Sequence, residues 1–306
     1  MEKLGAAERL SRGAYLVHYF AGARYFGAKR PLLAGIKLTH RCTLRCAQCP
    51  YWRKTMPDLK WAQIRRFLPE LYQQGVRIVV FEGGEPLLWR DGARNISDVI
   101  DRARRYFFSV GVTTNGTLPI DIKPDIVWVS IDGLKKTHDK LRSNSFDCAI
   151  ENIKRSRHPK VFAHITINRL NYFEVTNLVR LLEPLVRGIT IQFFYPYPES
   201  EDLWLPWEKR AAVLDELISL KRQGYPLVNS VSCLEALKAN NWSCEPWMVA
   251  DIDPDGTYIQ GCYLKNRTPE KNPCKRCGFS AHAEISLAYQ LRLDAIGAGR
   301  EIFGVF

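Results

Sequence analysis

CTLRCAQC, residues 42–49, sets three thiols at offsets of four and three. Thiolates so spaced can close on three corners of a cubane iron-sulfur cluster and leave the fourth iron without a protein ligand. An open iron can chelate a small molecule through an amine and a carboxylate, whereas a structural metal site fills every position with protein. The competing reading of the triplet is a zinc knuckle that borrows a fourth ligand elsewhere.

Outward from this loop, residues 31–39, PLLAGIKLT, read as a short buried strand that delivers it, with His40 and Arg41 at the strand's end. Residues 58–74 read as a helix with Leu59, Ile64, Phe67, Leu68 and Leu71 toward a core. A second strand, RIVVF at 77–81, runs into Glu82, Gly83, Gly84, Glu85 and Pro86. Two glycines at the carboxyl end of a strand let bare backbone approach a ligand, where C=O and N–H groups can hold an ammonium or a carboxylate.

CTLRCAQC followed, one helix and one strand later, by GGEP resembles the radical S-adenosylmethionine (SAM) superfamily, in which the unique iron of a [4Fe-4S] cluster binds the methionine end of SAM. The resemblance implies metal ligation by Cys42, Cys46 and Cys49, a SAM-methionine site at Gly83, Gly84 and Glu85, and a low-potential electron donor of flavodoxin or ferredoxin type. Strand and helix keep alternating: helix 96–107, strand 108–113, strand 126–130, helix 148–156, strand 161–168, helix 174–185 and strand 189–194. Six strands joined by right-handed crossovers predict an α/β fold, a partial (β/α)6 parallel barrel with ligands at the carboxyl ends of its strands.

SIDGLKKTHDKLRSNSFDCAIENI, residues 130–153, is similar to the superfamily branch of molybdenum-cofactor and peptide-maturing enzymes. That similarity implies Ser130 and Arg142 on the carboxylate or ribose of SAM, Asn115 near the ribose and Asn168 near the nucleoside. A guanidinium fork suits a carboxylate, and a hydroxyl or amide suits sugar oxygens. The plainer readings pair Arg142 with a helix acid and make Asp132–Gly133 a turn. Gln48 stands where the superfamily commonly has an aromatic residue, so adenine stacking is expected elsewhere, from Tyr51. No catalytic acid or base is assigned; Glu82, Tyr195 and Tyr197 sit at strand ends facing the expected cavity.

After a helix at 208–223, residues 224–306 hold Cys244, Cys262, Cys274 and Cys277. By count alone, four thiolates hold zinc or a four-iron cluster equally well. The set resembles an abbreviated SPASM or twitch module, short of the seven SPASM cysteines, which implies one auxiliary [4Fe-4S] cluster. DPDGTYIQGC is expected as a hairpin presenting Cys262, Cys148 as a buried small hydrophobe and Cys233 as an outside candidate ligand. CEPW (244–247) and GCYL (261–264) resemble parts of lipid-acting members such as the hopanoid adenosyltransferases, which points to a lipid or isoprenoid substrate. A single helix from 282 to 296 is expected to cover the barrel opening.

The chain thus divides into a basic aromatic helix (1–30), the barrel (31–223) and the cysteine-rich module (224–306). Of the net charge of +12, residues 1–60 contribute +9. Over 6–26, Leu10, Ala14, Val17 and Ala21 share one helical face among aromatic and basic residues, a pattern for a membrane interface or for packing on the barrel. Nine cysteines without a secretory segment point away from a disulfide framework and toward metal in a reducing cytoplasm. The expected site of action is the cytoplasm, with the first helix at the cytoplasmic membrane face. Within enzymes the rival is peptide or protein maturation, disfavoured because only about 35 residues precede the first strand. Outside enzymes it is a zinc-bound nucleic-acid-binding protein; nucleic acid is not the expected partner, because GGEP stands in register with the cysteines.

Overall fold

The computed structural model describes residues 5–262, 264, 268 and 270–305. Helix α1 (Ala6–Tyr25) precedes β1 (Leu33–Thr39), α2 (Trp61–Gln74) and β2 (Ile78–Gly83). A small ribbon, β3 (Arg90–Asp91) with β4 (Arg94–Asn95), leads to α3 (Ile96–Ala103), β5 (Ser109–Thr114) and β6 (Ile126–Ser130). Next come α4 (Lys135–Leu141), α5 (Phe146–Arg155), β7 (Val161–Ile167), α6 (Val175–Leu182) and β8 (Gly188–Phe193). The remainder is α7 (Trp207–Arg222), α8 (Val231–Ala239), β9 (Val249–Ile252), β10 (Tyr258–Gln260), α9 (Ser280–Tyr289) and α10 (Leu293–Phe303).

The main sheet runs β10-β9-β1-β2-β5-β6-β7-β8, parallel throughout except between β9 and β10. Strands β1, β2 and β5–β8 are mostly buried, as in β6, IVWVS, because helices cover one face and the lumen the other, whereas β10 at the sheet edge is largely exposed. The six expected strands are therefore all present. The sheet has two strands more: the expected hairpin forms as β9–β10, and β9 pairs parallel with β1, extending the barrel sheet. Of GCYL, Tyr263 lies outside the described residues.

Three expectations change. Helix α3 begins at a capping box between Asn95 and Asp98 and ends at Ala103, four residues earlier than the apolar pattern implied. The tail is two helices, broken where Leu291 takes φ 63°. It does not cover the opening: α10 returns under the N-terminal half of the strands, its Phe303 ring 5.9 Å from Trp128, and Ile302 joins Ile126, Phe162 and Val228 there. Cys148 is exposed, because α5 turns Phe146, Ala149, Ile150 and Ile153 to the core.

Helix α1 also seals the N-terminal end. Arg12 donates to the carbonyl of Phe108, Tyr15 to that of Gly75 and Tyr19 to that of Arg30, all just ahead of strands. Its other face, with Leu10 75% and Val17 71% exposed, meets solvent. Among the described residues no helix is long and apolar enough to cross a membrane.

Candidate active site

At the carboxyl ends of β1 and β2 the cysteine loop and the GGEP loop interlock. Gly84 N donates to Thr39 O at 2.7 Å and Glu85 N to Arg41 O at 2.8 Å. A Cβ on Gly83 (φ 139°) would lie 2.2 Å from Thr39 O, and one on Gly84 would lie 2.3 Å from Arg41 O. Only glycine permits this approach. The Glu85 carboxylate is fully buried and accepts from Thr114 Oγ1 (2.9 Å), Asn115 N (2.8 Å) and Leu87 N (3.1 Å). Glu85 thus ties the end of β2 to the end of β5. Asn115 in turn donates to Thr43 Oγ1 at 2.9 Å and lies 3.5 Å from Cys42 Sγ.

A second assembly forms at the ends of β6 and β7 around Asp132, which is fully buried. Its Oδ2 accepts from Gln48 Nε2 (2.7 Å) and Arg142 Nε (2.5 Å), and its Oδ1 from Thr166 N (2.7 Å). Arg142 Nη1 reaches to 4.0 Å from Cys46 Sγ. Burial works against the Arg142 charge, yet Asp132 and Cys46 outweigh it and raise the pKa. The Arg142 partner is therefore a strand-end carboxylate rather than a helix acid, and Asp132 is more than a turn residue. From the sequence, Asp132 is expected only as a turn residue and Gln48 only as a departure from an aromatic position, with no link between them; the signal available is SIDG itself, an acid two residues beyond a buried strand.

Ser130 is buried at the end of β6. Asn168, fully buried, turns its side chain into its own loop, accepting from Leu170 N at 2.8 Å and donating to Thr166 O at 3.3 Å. Asn171, fully buried beside it, is the residue that reaches across, donating to Asp132 O and Thr166 O at 3.0 Å each.

Burial raises the pKa of Cys42 and pushes Cys46 up to about 11, with neighbouring thiols adding to both. Leu44 N (3.4 Å) and Asn115 Nδ2 donate to Cys42 Sγ. Buried thiols on one loop, with two N–H groups aimed at the Cys42 sulfur, fit an iron-sulfur cluster, whose potential such bonds tune.

Below the loops the lumen is polar. Lys37 is held by Glu82 (3.0 Å), Asp251 (3.1 Å) and Asp253 (3.8 Å). Beside Cys49 a cavity of about 140 Å³ is walled by Tyr51, Phe194, Tyr195, Tyr197 and Phe279, with Gln48 and Gln192. Tyr195 donates to Glu270 at 2.5 Å; burial, then this carboxylate, pushes its hydroxyl up to about 12.

Of the C-terminal thiols, Cys262 and Cys277 pack against this wall. Burial pushes Cys277 up to about 11, and Cys262 and Cys274 add to the rise. The CKRC turn is held from behind. Arg210, fully buried and near Cys277, donates to Cys277 O (3.0 Å) and Arg276 O (3.3 Å), and Asn240 to Cys274 O and Cys277 O. Cys244 enters beside α9, where Glu245 N donates to Ser286 Oγ at 2.9 Å. Cys233 sits fully buried near Ser280 and Glu284. Among the described residues no three His, Cys, Asp or Glu side chains form a group ready to hold a single metal ion.

The family model described as the Radical SAM superfamily matches residues 36–182. Fe-coproporphyrin III synthase of Methanosarcina barkeri is 27% identical over 222 residues, 65% of this chain and 54% of that protein. The antilisterial bacteriocin subtilosin biosynthesis protein AlbA of Bacillus subtilis is 27% identical over 172 residues, 51% of this chain and 37% of its own length. The chain thus spans about half the length, or less, of these relatives. Streptococcus suis SuiB, crystallised bound to S-adenosylmethionine, shares the fold at a TM-score of 0.64 and 14% identity, over 90% of this chain and 67% of SuiB.

Proposed function

Since the chain belongs to the radical SAM superfamily, we propose that Cys42, Cys46 and Cys49 hold a [4Fe-4S] cluster whose open iron takes the amine and carboxylate of SAM. When reduced, that cluster supplies the electron that splits the carbon-sulfur bond of SAM into methionine and a 5'-deoxyadenosyl radical, which takes a hydrogen from substrate. Gly83 and Gly84 offer backbone to the methionine end, and Glu85 holds that loop against β5. Ser130, Asn115 and Arg142 serve the carboxylate and ribose, with Asp132 aiming Arg142 and the loop of Asn168 flanking the nucleoside. The observation that carries this reading is the interlock of residues 39–41 with 83–85, directly ahead of Cys42, Cys46 and Cys49 in one loop.

Cys244, Cys262, Cys274 and Cys277 are assigned one auxiliary [4Fe-4S] cluster, in a module comprising residues 224–306 that follows the barrel of residues 31–223. Arg210 lends that site a buried positive charge, with its pKa pushed down to about 10 by burial. The substrate is assigned as a largely apolar molecule of lipid or isoprenoid type, and the aromatic cavity wall next to Cys49 supports this. Helix α1 gives that reading only indirect support, since it lies at the end of the barrel away from the cavity; its role would be to hold the enzyme at a membrane, not to admit substrate. A second reading, peptide maturation, is favoured by the likeness to the bacteriocin biosynthesis protein.

Iron and sulfide content with electron paramagnetic resonance on the anaerobically reconstituted protein tests the assignment. About eight irons per chain, falling to about four in Cys42→Ala/Cys46→Ala/Cys49→Ala, are expected, with a SAM-dependent signal only in the wild type. About four irons together with zinc would remove the auxiliary cluster, and no iron would overturn the whole reading.

A further inference from the structure

Between Glu8 and Asp58 the chain has no acidic residue and ten Lys and Arg. The fold sends these charges to different places. Arg9, Arg12, Arg24, Lys29 and Arg30 belong to α1 and its exit at the N-terminal end of the barrel, Lys37 is enclosed in the lumen by carboxylates, and Arg41 is spent on Asp58. Arg45, Arg53 and Lys54 remain, exposed around the cysteine loop.

These three cations stand on a shelf of rings. Arg53 lies 4.2 Å and Arg45 5.9 Å from the Trp52 ring, and Lys54 lies 5.0 Å from the Tyr51 ring. Trp52 is bonded to the loop beneath, its indole N–H donating to Cys46 O at 3.1 Å, while Arg53 donates to Cys49 O at 3.3 Å. Among the described residues none of the three cations forms an ion pair with an acid. A rigid group of uncompensated cations steers an acidic partner and fixes its orientation. This one touches the backbone of two cysteines in the triplet, so a partner seated on it would lie next to whatever those thiols hold.

We propose that Arg45, Trp52, Arg53 and Lys54 form the docking surface for a small acidic one-electron carrier protein of the flavodoxin class. The inference rests on the proposed cluster at Cys42, Cys46 and Cys49: the carrier passes from hydroquinone to semiquinone, and the electron it loses enters that cluster. Carrier recognition thus belongs to the basic loop at the mouth, whereas the basic charge of α1 serves another surface.

The test compares wild type with Lys54→Glu, both full-length and anaerobically reconstituted, using an acidic flavodoxin as probe. Binding isotherms with the oxidised flavodoxin at about 0.05 M salt should show Kd about tenfold or more higher in the variant, a gap that closes at about 0.5 M salt. Methionine release driven by flavodoxin hydroquinone should fall by a similar factor, while release driven by dithionite and the iron content stay at wild-type levels. Equal Kd values in the two proteins at low salt would overturn the docking surface. So would a wild type that ignores flavodoxin but binds a short single-stranded oligonucleotide through the same residues. Wild-type protein that binds flavodoxin yet releases no methionine with dithionite would overturn the proposed chemistry instead, leaving the isotherms to judge the docking surface.

Discussion

The Gln48 side-chain amide donates to the Asp132 carboxylate at 2.7 Å across 84 residues of chain. This bond fastens the cysteine loop to the end of β6. Because the same carboxylate oxygen also accepts from Arg142, one buried anion orders a residue from the thiol loop and a cation aimed at Cys46.

Asp132→Ala removes that anion and leaves Arg142 buried without its partner. Loss of one member of a buried ion pair costs about 3–5 kcal/mol, so urea unfolding should show a stability drop of that order. Asp132→Asn keeps an acceptor and should be milder in stability, yet it loosens Arg142 and should weaken SAM binding about tenfold, read by calorimetry on the reconstituted protein.

Gly84→Ala places a Cβ 2.5 Å from His40 O as well as against Arg41 O, both backbone atoms that cannot swing aside. Separating the two loops should cost about 1–3 kcal/mol and lower the iron retained per chain after desalting. Gly35→Ala is the control. Its Cβ would meet only the side-chain ends of Asp251 and Glu82 at 3.0 and 3.1 Å, so iron retention should stay near wild type.

Loading the triplet requires thiolates, and burial pushes Cys46 up to about 11. Iron incorporation should therefore speed up as the reconstitution buffer is raised from about pH 7 to about pH 9, because binding releases the thiol protons. A rate independent of pH over that range would mean that the thiols are already ionised.

His138 is fully buried and neutral: Nδ1 accepts from Asp132 N, and its pKa is pushed down to about 4, by burial first and then by Arg142. An unfolded imidazole titrates near about 6.5. Below that pH the unfolded chain takes up a proton the native site refuses, so stability held above about pH 6.5 is lost as the pH falls toward 4, by up to about 1.4 kcal/mol per pH unit. Urea midpoints across this window should fall for wild type and fall less steeply for His138→Gln.

Leu10 and Val17 project from α1 between exposed arginines. If that face meets anionic lipid, Leu10→Glu/Val17→Glu should reduce binding to phosphatidylserine vesicles about tenfold or more, read by co-sedimentation. The melting temperature should not change, since neither side chain is part of the core. Equal sedimentation of the two proteins would reject the membrane face.

The cysteine spacing, GGEP and the alternating strands were enough to place all six core strands, because each depends on neighbours in sequence: β-branched runs, glycine turns and amphipathic helices. Gly83 and Gly84 were legible as a glycine turn at the end of β2, but that their backbone closes on Thr39, His40 and Arg41, over forty residues away, was not. Cys148 was misread because which helical face is buried depends on the sheet beneath it. Arg210 and Asn240 were not legible at all, since each acts on a turn 34 to 67 residues away.

What the sequence by itself determined is which thiols are available, the succession of strands along the chain and the excess of basic charge before residue 60, all properties carried by the covalent chain. Tertiary structure alone decided that Asp132 organises Arg142 and Gln48, that β9 extends the sheet beside β1, and that the basic charge divides between the cysteine loop and α1 at opposite ends of the barrel. The reason is physical: a buried carboxylate finds its donors, and a cation its neighbours, only after packing has brought distant segments together and removed the water that would otherwise satisfy each of them alone.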